Sequence, residues 1–100
     1  MFNIIISIAA EADTRDAFSY YEDQQKGLGD RFLDELTAYY NKLKLHPTHY
    51  SFVSADKTIR AIALKIFPYK IIYQIEGMEV YVYAVYHFRL NPDTLLKRIT

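Results

Sequence analysis

The chain has no cysteine and no tryptophan, and it has only 3 glycines and 3 prolines among its 100 residues. The absence of cysteine excludes a disulfide scaffold and a thiol nucleophile, and it is compatible with a reducing cytoplasm, where we expect the protein to reside. The scarcity of glycine and proline, with a hydrophobic fraction of 51%, excludes a linker or a tail. We therefore expect residues 1–100 to form a single ordered domain.

Long hydrophobic runs and an excess of one charge are also absent. The longest apolar candidate, residues 4–10, is far shorter than the roughly 18 residues of a membrane span, and no basic region precedes it. The 12 basic and 12 acidic residues balance, which argues against a general nucleic-acid-binding protein. The charges are uneven, however, because residues 1–50 carry 5 basic and 8 acidic side chains and residues 51–100 carry 7 and 4. The C-terminal half can therefore present a local positive surface.

Two amphipathic helices occupy most of the first half, after a short β-branched strand over residues 2–8. Apolar residues at helical spacing predict one helix over about residues 10–25 and a second over residues 30–45. Gly27 and Gly29 make continuation from one helix into the next costly, and His46-Pro47 ends the second helix.

Three consecutive strands are predicted in the second half, after an irregular loop over residues 48–57. In each of the segments 60–66, 69–75 and 80–87, the side chains form two alternating rows, which is the pattern of a β-strand. The two connections between these segments, Phe67-Pro68-Tyr69 and Glu76-Gly77-Met78, are short. Short connections favour an antiparallel meander. Asn91-Pro92-Asp93 then predicts the start of a short C-terminal helix over residues 94–99. The expected fold class is α+β, in the order β-α-α-β-β-β with a short C-terminal helix.

One face of the resulting sheet is expected to be at least partly open. The two-helix hairpin should cover the other face of a small, mostly antiparallel four-stranded sheet, because each amphipathic stripe needs an apolar partner. The open face carries either the row Lys70, Ile72 and Gln74 or the row Tyr81, Tyr83 and His87. Both rows are too apolar or aromatic for a purely solvated surface. The predicted partner-binding residues are Lys70, Ile72, Gln74, Tyr81 and Tyr83.

Several short motifs stand in a fixed order along the chain. The first half contains Tyr20-Tyr21-Glu22, Gly27-Leu28-Gly29-Asp30-Arg31-Phe32 and Pro47. The second half contains Arg60, Phe67-Pro68-Tyr69, Ile72-Tyr73 and the closing His87-Phe88-Arg89-Leu90-Asn91-Pro92. Together they resemble the RelE/ParE toxins of bacterial type II toxin–antitoxin systems over nearly the whole chain. The resemblance implies the fold described above and a growth-inhibiting protein that is neutralised by an antitoxin encoded beside it.

The resemblance implies two alternative mechanisms. RelE-like members cleave mRNA in the ribosomal decoding site with the help of basic side chains, whereas ParE-like members inhibit DNA gyrase and are not enzymes. Lys70 stands where RelE has a strand arginine, and Arg89 matches a late arginine, but no counterpart is evident for the tyrosine of some nucleases. Zero net charge, Phe67-Pro68-Tyr69 and the His-x-Arg-x-x-Pro ending favour the ParE-like side.

Three functional hypotheses follow from the resemblance. The favoured one is inhibition of DNA gyrase by protein–protein contact, the second is a ribosome-dependent mRNA endonuclease, and the third is a degenerate, non-toxic member that keeps the antitoxin-binding fold. The expected partners are an antitoxin and either gyrase or the ribosome with its mRNA. A homodimer and a toxin–antitoxin heteromer are both left open.

Only a nuclease would need an acid–base group and cations close to the scissile phosphate. The candidate catalytic residues for that case are His87, Arg89, Lys70 and Arg60. In the favoured structural interpretation, His87 instead hydrogen-bonds a neighbouring backbone group, and Arg89 pairs with a helix carboxylate.

The remaining charged residues receive structural interpretations. Arg60 is expected either to extend its guanidinium from the sheet toward solvent or to form an ion pair with Glu22, Asp34 or Glu35. The acidic pairs at residues 22–23 and 34–35 are otherwise expected on solvated helix surfaces.

His46 and His49 have a spacing that can bind metal, but no third ligand is evident, so neither a metal site nor a cofactor is predicted. The 10 tyrosines mostly fall on helix stripes and alternating strand positions, where core and interface roles are the default.

Overall fold

A computed structural model describes residues 1–89. The elements are β1 (Asn3–Ile6), α1 (Ile8–Gln24), α2 (Leu28–Leu45), a 3₁₀ turn (Pro47–His49), β2 (Ile59–Ala63), β3 (Tyr69–Glu76) and β4 (Glu79–His87). They form one sheet in the order β1-β4-β3-β2, in which β1 is parallel to β4 and the other neighbours are antiparallel. The predicted α+β architecture is confirmed, whereas the predicted helix over residues 94–99 lies outside the described residues. Among residues 1–89, no helix is both long and apolar enough to cross a membrane.

The first helix begins earlier than its apolar pattern predicts. Ser7 caps it, because its hydroxyl oxygen accepts a hydrogen bond from the Ala10 amide at 3.0 Å. Ile8, the first helical residue, is 84% exposed and therefore does not belong to the apolar stripe. A hydroxyl cap thus ends β1 at Ile6 and moves the start of α1 to Ile8.

The turn between the helices is closed by a glutamate and two glycines. Gly27 has a φ of +88°, a left-handed conformation that favours glycine. The Glu22 carboxylate accepts hydrogen bonds from the amides of Gly27 and Gly29, at 3.1 and 3.0 Å. A Cβ at Gly29 would lie 2.9 Å from the Phe18 carbonyl oxygen, so glycine lets α2 approach α1 closely. The expectation that Glu22 is a solvated surface acid is wrong, because its carboxylate caps the start of α2.

The main core lies between the helical hairpin and the sheet. Its centre is an aromatic cluster in which the fully buried Phe32 ring lies 5.6 Å from Tyr21, 5.3 Å from Phe67 and 5.1 Å from Tyr69, centroid to centroid. The buried Tyr73 hydroxyl donates a hydrogen bond to the Pro47 carbonyl. These contacts join both helices to β3 and hold the sheet in a fixed position beneath the hairpin.

A β-bulge in β4 changes which residues face the helices. Ile72 pairs with Ala84 and Tyr73 with Val82, so Tyr83 is an extra residue without its own partner in β3. Ala84 therefore lies on the opposite side of the sheet from Val85, which packs in the main core. The predicted uninterrupted alternation, with Tyr81, Tyr83 and His87 in one row, is wrong beyond Tyr83.

The face of the sheet turned away from the helices, called here the outer face, has a small core of its own. Ile72 is 2% exposed and Ala84 is fully buried, and Ile59 of β2 packs with them. Tyr83 and Tyr86 pack partly buried around this group. The outer face is therefore less open than the sequence indicates, because its centre is buried and accessible surface remains around it.

Candidate functional site

The structure brings both predicted rows of partner-binding residues onto the outer face. Gln74 pairs in register with Tyr81, and Lys70 pairs with Tyr86, which packs against the outer core. The Tyr83 hydroxyl donates a hydrogen bond to Gln74 Oε1 at 2.8 Å.

Accessibility is unequal within this group. Lys70, Gln74, Tyr81 and Tyr83 are half-buried, so each presents part of its side chain to solvent. Ile72, with 2% exposure, supports these residues from below and offers almost no surface of its own. The accessible surface is thus a polar and aromatic rim around an apolar centre.

Two aromatic residues extend this surface, and the sequence pattern did not identify them. Tyr86 lies on the outer face because the bulge shifts the alternation of β4, and a bulge leaves no clear mark in the sequence. Phe88 is 49% exposed, and the Lys70 ammonium lies 5.4 Å from its ring centroid. Lys70 thus stands beside an aromatic ring.

The four candidate catalytic residues do not share one site. His87 pairs with Tyr69, and its ring lies 5.3 Å from the Tyr69 ring on the helix side of the sheet. Lys70, the next residue along β3, points to the outer face. Arg60 pairs with Tyr73, about 13 Å along β3 from Tyr69 at 3.3 Å per residue. The structure therefore separates the His87 imidazole from both the Lys70 and the Arg60 cations.

His87 and Arg60 make contacts with the backbone. His87 Nδ1 accepts a hydrogen bond from the Arg89 amide at 3.1 Å, which confirms the expected contact of this histidine with a neighbouring backbone group. The Arg60 guanidinium donates to the carbonyls of Tyr50 at 2.6 Å and Thr48 at 3.2 Å, and it lies 3.9 Å from the Phe52 ring centroid. The expected ion pair of Arg60 with a helix acid is wrong, since this arginine fastens the loop before β2 to the sheet.

Glu35 holds the loop that connects β2 and β3. Its two carboxylate oxygens accept hydrogen bonds from the amides of Ile66 at 2.9 Å and Phe67 at 3.1 Å. The predicted strand over residues 60–66 is shortened at this loop, and Ile66 is 67% exposed. As with Glu22, the expected solvated helix acid instead caps backbone amides, whereas the neighbouring Asp34 is exposed as predicted.

Replacing Glu35 by Ala is expected to lower the free energy of unfolding by about 1–3 kcal/mol, because two loop amides lose their acceptor. Replacing the adjacent Asp34 by Ala is the matched control, and its effect should stay within about 0.5 kcal/mol. Urea unfolding of both variants measures the difference. Equal stability of the two variants would mean that the Glu35 contacts contribute nothing.

Buried tyrosines make the fold sensitive to alkali. Burial raises the pKa of Tyr69 to about 12 and also raises the pKa values of Tyr40 and Tyr73. In the unfolded chain these hydroxyls ionise near pH 10, so between about pH 10 and 12 the unfolded state holds fewer protons than the folded state. The free energy of unfolding therefore keeps its full value below about pH 10 and falls as the pH rises through the pKa values of the folded state.

The expected result is a free energy of unfolding that falls steadily as the pH rises above about 10. Urea unfolding over this range measures it, and the ultraviolet absorbance of tyrosinate reports the ionisation in parallel. The Tyr40→Phe variant should show a shallower fall, since one delayed ionisation is removed. A stability that does not change with pH in this range would contradict the assignment.

His46 and His49 form a stacked pair, with ring centroids 4.6 Å apart and planes inclined by 2°. Among residues 1–89, no group of three or more His, Cys, Asp or Glu side chains is arranged to hold a metal ion. The pair lies at the 3₁₀ turn after α2 and is exposed. The parallel stacking of the two rings is therefore a local contact within the turn that follows α2.

A two-helix hairpin on one face of a mostly antiparallel four-stranded sheet is the fold expected of RelE/ParE proteins. The chain matches the family model described as "ParE toxin of type II toxin-antitoxin system, parDE" over residues 4–91. It therefore belongs to the ParE toxin family of type II toxin–antitoxin systems, and the predicted membership on the ParE-like side is confirmed.

Comparison with solved structures agrees with this assignment at the level of the fold. A chain of the "Chromosomal ParDE TA system from P. aeruginosa" superposes with a TM-score of 0.75 and covers 87% of this chain and 96% of its own length. The two sequences are 13% identical, so the likeness concerns the fold alone. No curated protein matches the chain.

Proposed function

We propose that the protein is a growth-inhibiting toxin that acts in the cytoplasm by binding DNA gyrase and is neutralised by a cognate antitoxin. The observation that carries this proposal is the match to the ParE family model over residues 4–91. ParE-like proteins, as the sequence resemblance implies, inhibit gyrase by protein–protein contact and not by catalysis.

The outer face is the surface that we assign to the target. It combines half-buried tyrosines, a glutamine and Lys70 around an apolar centre, a composition typical of protein interfaces. Tyr81 and Tyr83 offer large, amphipathic side chains with few rotatable bonds, and Lys70 adds one positive charge. A partner would therefore contact a rim of aromatic and polar groups whose positions are fixed by the buried centre beneath.

The nuclease hypothesis receives less support from the geometry. Cleavage of RNA by a 2′-hydroxyl requires an acid or base and a cation at the same phosphate. His87 lies on the helix side of the sheet and Lys70 on the outer face, while the Arg60 guanidinium is occupied by backbone carbonyls. The separation of His87 from the Lys70 and Arg60 cations favours a binding protein over an enzyme that uses these three residues together.

Induction of the gene in bacteria, without the neighbouring gene, tests the proposal. Growth arrest with an SOS response and broken DNA is expected, and co-expression of the neighbouring open reading frame should restore growth. Growth arrest with transcripts cut at codons of translated messages would replace the proposal by the nuclease hypothesis. Unimpaired growth at confirmed protein levels would instead identify a degenerate member.

A further inference from the structure

The outer face carries charges of opposite sign at its two ends. Side chains alternate along a strand, so β3 presents one row of residues to this face: Lys70, Ile72, Gln74 and Glu76. Lys70 and Glu76 stand about 20 Å apart along β3, at roughly 3.3 Å per residue. Glu79 of β4 pairs in register with Glu76 and adds a second carboxylate at that end. Every other residue that the four strands direct to the outer face is uncharged.

The acidic end adjoins the aromatic rim of the outer face. Glu79 precedes Tyr81 by two residues in β4, so the two side chains lie on the same side of the sheet. The Glu79 carboxylate raises the pKa of Tyr81, and burial and the Glu76 carboxylate add to this effect. Ile5 of β1 pairs with Tyr81 and points to the outer face, because both neighbours of Ile5 in β1 pack in the main core. The surface beside the carboxylates is therefore aromatic and apolar.

A face with this distribution of charge is complementary to a second copy of itself. A two-fold axis joins the same surface of both copies. When the axis runs across the strands, midway between Lys70 and Glu76, Lys70 of each copy lies over the two carboxylates of the other. When the axis runs along the strands, the Lys70 ends of both copies meet, and like charges placed opposite each other are unfavourable. Charge therefore selects the pair in which each strand lies antiparallel over its own copy.

The centre of such a pair is apolar and aromatic. Ile72 and Gln74 lie nearest the axis, and Tyr83 stands beside them in β4. The Tyr83 hydroxyl already donates to Gln74 Oε1 at 2.8 Å, so this donor needs no new acceptor when a second copy covers it. Two sheets that pack face to face lie about 10 Å apart, with interdigitating side chains. The tyrosines of the rim can fill that space.

The size of the outer face limits the strength of the pairing. Four strands about 4.8 Å apart and about 20 Å long present a plane of roughly 400 Å² per copy. A standard stable interface takes about 800 Å² from each partner. The expected association is therefore reversible, with a Kd in the micromolar range or weaker.

We propose that two copies of the chain pair reversibly through their outer faces, with Lys70 of each copy against Glu76 and Glu79 of the other. The pairing itself does not require the proposed function. Because it covers Lys70, Tyr81 and Tyr83, only the unpaired chain presents the surface that we assign to the target.

Sedimentation equilibrium of the purified full-length protein tests the pairing and its charges. The wild type should change from monomer to dimer as its concentration rises toward about 1 mM, and added salt should weaken the dimer. Lys70→Glu, and separately Glu76→Lys combined with Glu79→Lys, should each raise the dimer Kd at least about tenfold, since like charges then meet at both ends of the pair. Circular dichroism checks that both variants fold.

An equimolar mixture of the two variants is the decisive sample. In a mixed pair each reversed charge faces a charge of opposite sign, so the mixture should dimerise with a Kd within about threefold of the wild type. The matched controls make the same changes of net charge at exposed positions of the α1 region, as Lys26→Glu and as Asp16→Lys with Asp23→Lys. Each control should pair with itself as the wild type does.

A dilution series followed by NMR locates the interface. The amide signals of Ile72, Gln74 and Tyr83 should shift with protein concentration, whereas those of α1 and α2 should not. A wild type that stays monomeric up to about 1 mM overturns the inference and leaves the outer face to a different protein. A mixture that pairs no better than its components, or shifts confined to the helices or to β1, also overturns it. The gyrase and ribosome assays stand apart, so failure of the proposed function leaves these results unchanged.

Discussion

Combining Lys70→Glu with Tyr81→Ala is expected to raise the concentration of protein needed for half-inhibition of gyrase by about 100-fold or more. The reason is that loss of one aromatic anchor of an interface costs about 2 kcal/mol or more, and a reversed charge adds repulsion. Both side chains are half-buried on the outer face. Inhibition of supercoiling by the purified variant, relative to the wild type, measures the loss.

The matched control makes the same chemical changes on the helical side of the molecule. Tyr20→Ala with Lys26→Glu replaces an exposed tyrosine and an exposed lysine of the α1 region. This double variant should inhibit gyrase as well as the wild type does. If both double variants lose inhibition equally, the outer face is not the target-binding surface.

Replacing Phe32 by Ala is expected to lower the free energy of unfolding by about 3–5 kcal/mol, the range for a buried phenylalanine. Phe32 is fully buried and contacts the Tyr21, Phe67 and Tyr69 rings, so the neighbours cannot easily close the cavity. For a domain of this size, such a loss lowers the melting temperature by roughly 15–30 °C.

Thermal unfolding followed by circular dichroism measures this effect, and Ile66→Ala is the control. Ile66 is 67% exposed, so its truncation should change the stability by no more than about 0.5 kcal/mol. A loss below about 1 kcal/mol in Phe32→Ala would show that the aromatic cluster is not the centre of the core.

Much of the fold could be predicted from the sequence because its signals are local. Apolar residues at helical spacing marked α2, Gly27 and Gly29 marked the turn, and short corners marked the antiparallel meander. The prediction of which residues face the helices failed beyond Tyr83, since a bulge inserts one residue and reverses the later alternation. That reversal moved His87 to the helix side and brought Tyr86 to the outer face.

The roles of the charged residues were the hardest to predict. Glu22 and Glu35 cap amides 5 and 31 residues along the chain, and Arg60 binds a carbonyl 10 residues before it. A sequence shows where each carboxylate is, but it does not show which distant backbone amide needs an acceptor. Both glutamates were therefore expected on solvated surfaces. Such contacts depend on tertiary packing and leave no periodic pattern.

The most direct test of inhibition without catalysis uses purified protein in two assays run side by side. One assay follows DNA supercoiling by gyrase, and the other follows mRNA integrity on translating ribosomes. We expect the wild-type protein to stop supercoiling and to leave the mRNA whole. Cut mRNA together with unimpaired gyrase would contradict the account.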